Sequence, residues 1–244
     1  MFHGIGTVIN IAAIVAGGSI GMLTGGRLNV RTKELITDVL GCITLIAAAD
    51  AISSLWHSHF VQAVPKGWTL LGTLFALIVG GALGTLLKIQ DRLESFGELL
   101  RRKFGSNDEK SFISGFMAAT LLFAIGPLAI LGSISDGMGN GTTQLALKST
   151  LDFFASIAFA SSFGGGVIAS IFPVGLYQGA WTAVGVFLGN VMSEYQVDAM
   201  TVAGGVLLFG ISLRLLDIKV IRVGDLLPAL VLAPLIALAA HQFI

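Results

Sequence analysis

Residues 148–171, with the sequence KSTLDFFASIAFASSFGGGVIASI, form a stretch long enough to cross a lipid bilayer. The stretch nevertheless carries Lys148 and Asp152 near its start, together with five serines and three consecutive glycines. A charged side chain in hydrocarbon costs about 2.5–3.5 kcal/mol, so charges in membrane segments normally face protein or water. We therefore interpret this stretch as the floor of a polar site inside a bundle of membrane helices.

The amino-acid composition indicates a protein that is surrounded mainly by lipid. Of the 244 residues, 55% are hydrophobic and only 11% are charged, and the mean hydropathy is +0.89. Soluble domains carry about 25% charged residues, so this chain has too few charges to cover a water-exposed surface. The formal net charge is zero, which removes the electrostatic case for a nucleic-acid partner.

The hydropathy pattern predicts an all-α fold, a polytopic bundle of transmembrane helices that forms a single domain over residues 1–244. Each crossing needs about 20 apolar residues, and about eight stretches qualify. A tight turn at Phe172 and Pro173 separates the fifth from the sixth, where six spans with two re-entrant segments remain the alternative. The predicted spans cover residues 4–26, 35–55, 68–87, 112–131, 145–171, 174–191, 201–216 and 226–243.

The basic residues predict how the spans are oriented. Twelve of the 14 fall in three alternate connections, and only Lys66 and Lys148 fall elsewhere. The positive-inside rule then places these three connections in the cytoplasm and both termini on the outer side. Residues 92–104, RLESFGELLRRKF, have apolar positions on one helical face and predict an amphipathic cytoplasmic connector. A helix that docks a partner is the alternative for this segment.

Glycine spacing predicts an internal repeat. GMLTG at 21–25 and GVFLG at 185–189 are each followed, after 15 residues, by a glycine at Gly41 or Gly205. A weaker third copy is IVGGALG at 78–84. The predicted topology places the two connectors on opposite sides, so the copies would be inverted repeats, which are common in secondary transporters. The alternative is that glycine-rich membrane helices resemble one another by composition.

The candidate site residues follow from helical spacing. Lys148 and Asp152 are four residues apart and therefore share one face of a helix, which Ser149 and Ser156 border. The alternative interpretation places both charges at the outer membrane interface, where lysine side chains extend to the headgroups. The predicted substrate or ion pathway consists of Asn10, Lys148, Ser149, Asp152, Ser156 and Gln178.

Broken helices are predicted at two places. A glycine directly before Pro127 interrupts an apolar run, and three glycines interrupt the stretch quoted first. Between them, residues 132–143 (GSISDGMGNGTT) are predicted to form a loop that contains Asp136, and dipping back into the membrane is the alternative to an external loop. The predicted broken-helix glycines are Gly126, Gly164, Gly165 and Gly166.

Enzyme signatures are missing from the sequence. It contains no GxxxxGK[ST] or HExxH motif, and its GxSxG match, GGSIG at 17–21, lies inside a predicted apolar span and not in a strand-to-helix turn, so we expect no enzyme activity, no catalytic residue and no cofactor. His57 and His59 lie two residues apart in a predicted outer loop, but the sequence offers no further ligand beside them. We therefore predict no metal site.

Short motifs are spread over nearly the whole chain, and KSTLD at 148–152 followed by YQGA at 177–180 is a fairly specific combination. The sequence thereby resembles the bacterial membrane family known as domain of unknown function 554. The resemblance implies an inner-membrane protein whose relatives are sometimes labelled transporters. It supports residues 148–152 as the site and indicates no substrate. The other motifs are GTVIN at 6–10, GGSIG at 17–21, GGRL at 25–28 with Arg31, GF at 115–116, LLFAIGPLAILGS at 121–133 and LLPAL at 226–230.

The leading hypothesis is a membrane transporter or channel for an ion or a small polar solute. Because 25.4 kDa is small for a complete carrier, we expect a homodimer in the lipid bilayer. A second hypothesis is a scaffold or regulator that transports nothing and docks partners through its basic cytoplasmic connections. A membrane enzyme that acts on lipid is a third, weaker hypothesis.

Overall fold

The computed structural model describes residues 3–104, 108–125, 127–189 and 192–243, and every regular element within them is helical. Two 3-10 turns, Ser54–Trp56 and Val223–Leu226, accompany the α-helices. The helices are α1 (Ile5–Gly25), α2 (Val30–Ser53), α3 (Ser58–Ala63), α4 (Trp68–Leu86), α5 (Ile89–Phe104), α6 (Glu109–Ala124), α7 (Pro127–Gly137), α8 (Thr143–Phe163), α9 (Gly166–Ala169), α10 (Ile171–Leu188), α11 (Glu194–Leu215) and α12 (Ala229–His241).

The all-α membrane fold is confirmed, although eight spans and inverted repeats are not. Within the described residues, six helical runs are long and apolar enough to cross a membrane. A bent pair, Lys110–Ala124 with Leu128–Gly137, would be a seventh, and the two halves meet at 61°. Helix α8 has 21 residues but is not among the six. The six are Ile5–Gly25, Val30–Trp56, Trp68–Leu86, Gly166–Phe187, Glu194–Leu215 and Val223–His241.

The chain forms two compact units. Unit 1 contains Met1–Leu40 and Glu94–Val191, and unit 2 contains Gly41–Leu93 and Met192–Ile244. The division falls inside α2 and α5, so each of these helices contributes residues to both units. The single domain inferred from the sequence stays a prediction.

In unit 1, α1 and α8 pack through three glycines spaced four residues apart on α1. A Cβ atom added at any of these glycines would overlap a backbone carbonyl oxygen of α8, which no side-chain rotation can relieve. Such close approach is typical of small residues at helix interfaces in membranes. Because residue numbers rise together on both helices, α1 and α8 run parallel. The contacts pair Gly17 with Phe153, Gly21 with Ile157 and Gly25 with Ser161.

The predicted tight turn at Phe172 and Pro173 is wrong. Helix α8 ends at Phe163, more than two turns earlier, and the next residue, Gly164, has a φ of +69° that favours a residue without a Cβ. Phe172 and Pro173 instead lie in the first turn of α10, where proline is tolerated because its missing N–H would have no partner. Gly166 begins α9 and packs so closely that a Cβ would overlap the carbonyl oxygen of Phe112.

Asp136 lies in α7 and not in the loop predicted for residues 132–143, because α7 continues to Gly137. Its buried carboxylate accepts a hydrogen bond of 2.9 Å from the backbone N–H of Gly6, in the first turn of α1. The first N–H groups of a helix have no partner within the helix, and a negative charge there also interacts favourably with the helix dipole. Asp136 thus caps α1 from a neighbouring helix.

We expect Asp136→Ala to lower the free energy of unfolding by about 1–3 kcal/mol, because it leaves the buried N–H of Gly6 without a partner. Denaturation in detergent micelles measures this change. Asn140→Ala is the matched control, since Asn140 is exposed and its side-chain amide donates to the nearby sulfur of Met138. Equal effects of the two substitutions would contradict the capping role.

Helix α5 covers the predicted amphipathic connector of residues 92–104. In unit 1, Phe96 packs edge-on against Phe116, and their ring centroids are 6.1 Å apart. On the polar side, hydrogen bonds from Arg101 and Arg102 lower the pKa of Glu98 to about 2. One face of α5 therefore contacts α6, while the other carries a charge network.

In unit 2, polar contacts fasten the start of α5 to the 3-10 turn that precedes α12. Asp225 accepts a hydrogen bond of 2.9 Å from the backbone N–H of Gln90. The side-chain oxygen of Gln90 in turn accepts one of 2.8 Å from the N–H of Gly224. Gly84 of α4 packs directly on the backbone of Asp225. These contacts hold α4 and α12 together at one end.

Candidate functional site

Lys148 and Asp152 form a salt bridge one turn apart on α8, inside unit 1. Their side chains are only 7% and 9% exposed, respectively. The opposite face of α8 is apolar and exposed, with Leu147 and Phe154 at 56% and 64%. An acidic residue four positions before a basic one is the order that stabilises an isolated helix, and here the order is reversed. Local helix stability therefore does not explain the pair.

Two neighbouring helices contribute to the surroundings of this pair. The ammonium nitrogen of Lys148 lies 5.8 Å from the ring centroid of Phe123 on α6, a distance suited to a cation–π interaction. On α1, Asn10 is completely buried and lies close enough to interact with the carboxylate of Asp152. Neither polar atom of the Asn10 side chain makes a hydrogen bond of good geometry. The amide of Asn10 is thus held beside the carboxylate without a well-aligned hydrogen bond.

A helix break lies at the same level. Helix α6 ends at Ala124, one residue after Phe123, and α7 begins at Pro127. The last carbonyl groups of a helix lack partners within it and carry the negative end of its dipole, so this end of α6 is a favourable neighbour for the Lys148 ammonium. Gly126, the predicted cause of the break, lies outside the described residues.

Gln178 occupies the middle of the helical run Gly166–Phe187 and is completely buried. Neither polar atom of its side chain has a hydrogen-bond partner. Gly175 contacts Ile11, and Gly4 contacts Thr182, so α10 runs antiparallel to α1 and brings Gln178 level with residues 7–10. The sequence placed Gln178 at the start of a span. The structure corrects this position because the helical run begins earlier than predicted.

The two predicted serines differ in what they can bind. Ser149 is buried, and its hydroxyl donates a hydrogen bond of 2.6 Å to the carbonyl oxygen of Leu145 in the same helix. Ser156 is completely buried, faces Gly17 of α1 and has no hydrogen-bond partner for its hydroxyl. Ser156 therefore has free hydrogen-bonding capacity, whereas the donor of Ser149 is already used.

Among the described residues of unit 1, three further hydroxyl groups are buried and make no hydrogen bond of good geometry, and the sequence analysis missed them. A buried unpaired polar group costs about 1–3 kcal/mol, so several in one unit indicate a region suited to binding polar groups. Helical spacing could have identified Thr7, which lies one turn before Asn10, but no sequence pattern marks Thr120. The three residues are Thr7 on α1, Thr120 on α6 and Tyr177 on α10.

The sequence matches a family model described as "Protein of unknown function (DUF554)" over residues 5–238. The chain belongs to this family. The match confirms the resemblance that KSTLD and YQGA carry. It also covers both units of the structure almost completely.

Two relatives span nearly the same length as this DUF554 chain. It is 26% identical over 238 residues to "Uncharacterized membrane protein YdfK" of Bacillus subtilis (strain 168), covering 98% of this chain and 97% of that protein. It is 29% identical over 235 residues to "Uncharacterized protein YqgA" of Escherichia coli (strain K12), covering 94% of each. No solved structure matches. Together with the apolar helices, the first relative indicates an integral membrane protein.

The DUF554 chain also has a polar cavity of about 200 Å³ in unit 1, at the C-terminal end of α8. Ser162 lies at its wall and donates a hydrogen bond of 3.2 Å to the backbone carbonyl of Lys33. The cavity reaches neither Lys148 nor Asp152, which lie nearer the other end of the helix. Its polar wall includes Lys33, Asp108, Ser111, Ser161, Ser162, Gly164 and Gly165.

Proposed function

We propose that this chain is an inner-membrane transporter or channel for an ion or a small polar solute, and that the solute passes the Lys148–Asp152 pair. The observation that carries the proposal is the position of this buried pair, beside a broken helix and among buried polar atoms without partners. Broken helices whose ends face a polar site near the middle of the membrane are a recurring feature of secondary transporters.

The chemistry of the pair suits a solute that competes for one of its partners. An anionic group could bind the ammonium of Lys148, and a cation or proton could then bind the released carboxylate of Asp152. Gln178 offers a buried amide group without a partner, and Asn10 offers a buried amide that makes no well-aligned hydrogen bond, so binding a polar solute there would cost little additional desolvation. The polar cavity at the far end of α8 would serve as one entrance.

The topology and the partners belong to the same proposal. Twelve basic residues in three connections support a cytoplasmic location of those connections, with both termini outside. We infer a homodimer in the bilayer, without a cofactor, a nucleic-acid partner or an enzymatic step. Cross-linking in membranes, before detergent extraction, tests the dimer.

Flux measurements in proteoliposomes test the function. We expect uptake of at least one member of a panel of monovalent ions and small acids. Asp152→Asn should lower that uptake by roughly 10- to 100-fold, the equivalent of the about 1.5–3 kcal/mol that a hydrogen bond to a charged group contributes. Thr150→Ala is the matched control on the same helix, because Thr150 is exposed and its hydroxyl donates to the backbone carbonyl of Ala146 one turn earlier. Uptake unchanged by Asp152→Asn would rule out this site.

A scaffold or regulator that transports nothing is the second candidate. One observation favours it: the two charges neutralise each other, and the cavity does not reach them. A packed pair of this kind would need no solute. No flux above that of empty liposomes for the whole panel, from protein that is demonstrably folded, would favour this candidate.

A further inference from the structure

Unit 2 brings together three side chains that the sequence keeps far apart. His57 lies between a 3-10 turn and α3, and His59 is the second residue of α3. Asp198 lies in the second turn of α11, 141 residues after His57. One candidate ligand atom from each of these residues lies within 4.8 Å of the others. We call this group the His57–His59–Asp198 cluster.

The two carboxylate oxygens of Asp198 face different imidazole rings. The Oδ1 atom is 2.9 Å from Nδ1 of His57, and the Oδ2 atom is 3.0 Å from Nε2 of His59. The first distance is a hydrogen bond, whereas the second lacks hydrogen-bond geometry, and Oδ2 is buried without another partner. Oδ2 of Asp198 and Nε2 of His59 therefore lie close together without forming a hydrogen bond. This is the arrangement expected of two ligand atoms that bind the same metal ion.

Burial makes the charge of Asp198 significant. The residue is only 7% exposed, and a buried carboxylate needs either a cation or several hydrogen bonds nearby. The two imidazoles are about half exposed, at 47% and 45% of their side chains. They can therefore rotate toward an ion, and solvent can reach the coordination positions that the protein leaves open.

These observations point to a metal site: we propose that the His57–His59–Asp198 cluster binds a divalent transition-metal ion of the zinc class. Imidazole nitrogen with one carboxylate oxygen suits Zn²⁺, whereas Mg²⁺ and Ca²⁺ prefer oxygen ligands. In a tetrahedral zinc site with bonds of about 2.0–2.2 Å, ligand atoms are about 3.3 Å apart, so small side-chain rotations are sufficient. The fourth position faces solvent and would take water. This departs from the absence of a metal site expected from the sequence.

Glu194 supplies a second, independent feature of metal sites. It lies one turn before Asp198 on α11, and its Oε2 atom is 3.7 Å from Nδ1 of His59. Nδ1 is the nitrogen of His59 that does not face Asp198. A carboxylate beside the outer nitrogen of a ligating histidine fixes its tautomer and ring orientation in many metal sites. Because Glu194 is largely exposed, we assign it this positioning role only.

Zinc titration of the full-length protein tests the site. The protein is purified without a polyhistidine tag, stripped with a chelator, placed in nanodiscs and titrated with ZnCl₂ by calorimetry. We expect one ion per chain and a higher unfolding temperature with zinc. His57→Ala and His59→Ala should each weaken binding by more than the roughly 10- to 100-fold that loss of an outer partner costs. Cobalt absorption in the visible range reports four-coordinate geometry independently.

His241→Ala is the matched control, because His241 belongs to the same unit and its Nδ1 atom contacts the carbonyl of Ala63, outside the cluster. It should leave zinc binding unchanged. A cooperative unfolding transition in the presence of chelator shows that each variant is folded. Because His57 and His59 are exposed, their alanine variants should fold even where Asp198→Asn does not. Zinc binding that persists in the His57→Ala/His59→Ala double variant, or no saturable binding at all, overturns the proposal. Because the cluster lies in unit 2 and the proposed transport site in unit 1, the zinc titration does not depend on solute flux.

Discussion

Lys148→Met is expected to lower the free energy of unfolding by about 3–5 kcal/mol, because it leaves the buried carboxylate of Asp152 without its cation. The double variant Lys148→Met/Asp152→Leu removes both charges and should recover most of the loss, since apolar residues of similar volume often replace a buried ion pair at little cost. Unfolding in mixed micelles measures the unchanged protein, Lys148→Met, Asp152→Leu and the double variant, which together form a double-mutant cycle. Under the transport proposal, the double variant is stable but carries no solute.

The exposed charge network of Glu98, Arg101 and Arg102 on α5 provides the comparison for the Lys148/Asp152 double-mutant cycle. Arg102→Gln removes one of the two partners of Glu98, but its side chain is 74% exposed, so we expect almost no change in stability. If the double variant at residues 148 and 152 loses as much as the two single variants together, the charges act independently. The description of a coupled buried pair is then wrong.

Gly21→Ala is expected to destabilise the protein by at least the about 1–3 kcal/mol typical of overpacking. The new methyl group would meet the carbonyl oxygen of Ile157 and the Cβ of Ala160 on α8, and backbone atoms can yield only if the helices separate. Separation of α1 from α8 would also move Asn10 away from Asp152. Denaturation in micelles reports the first effect, and a cysteine pair across the two helices reports the second.

Gly26→Ala is the control for this substitution. Gly26 directly follows α1 and has a φ of −62°, and an added Cβ would lie 3.8 Å from its nearest neighbour. Alanine is therefore expected to fit there without strain. Equal destabilisation at residues 21 and 26 would show that loss of glycine flexibility, and not the contact with α8, governs the effect.

Hydropathy predicted the membrane fold and most helix positions, because apolar length is a direct requirement of the bilayer. Helical spacing likewise predicted that Lys148 and Asp152 pair, since residues four apart share a face. Both signals are local in sequence. These signals failed at Phe172 and Pro173, where the proline suggested a chain reversal but lies in the first turn of α10. They also failed at Asp136, because α7 continues into a glycine-rich stretch that was predicted to be a loop.

Contacts between distant segments could not be predicted from one sequence. Asp198 meets His57 across 141 residues, and no periodicity connects them. The cap that Asp136 provides for α1 joins residues 130 apart for the same reason. Thr120 became part of the candidate site only because α6 packs antiparallel to α8, with Gly115 against Phe163 and Phe123 beside Lys148, and local hydropathy does not encode this packing. Such contacts depend on how helices assemble, and assembly is fixed by packing among all of them.

The pairing of α1 with α8 has a consequence for biogenesis. During synthesis, the ribosome must add well over a hundred residues after Gly17 before its partner, Phe153, exists. Until then, the glycine face of α1 is not covered by α8 and must contact lipids or an insertase. Chains arrested before α8 emerges should be the preferred substrates of membrane proteases, because nothing yet shields that face.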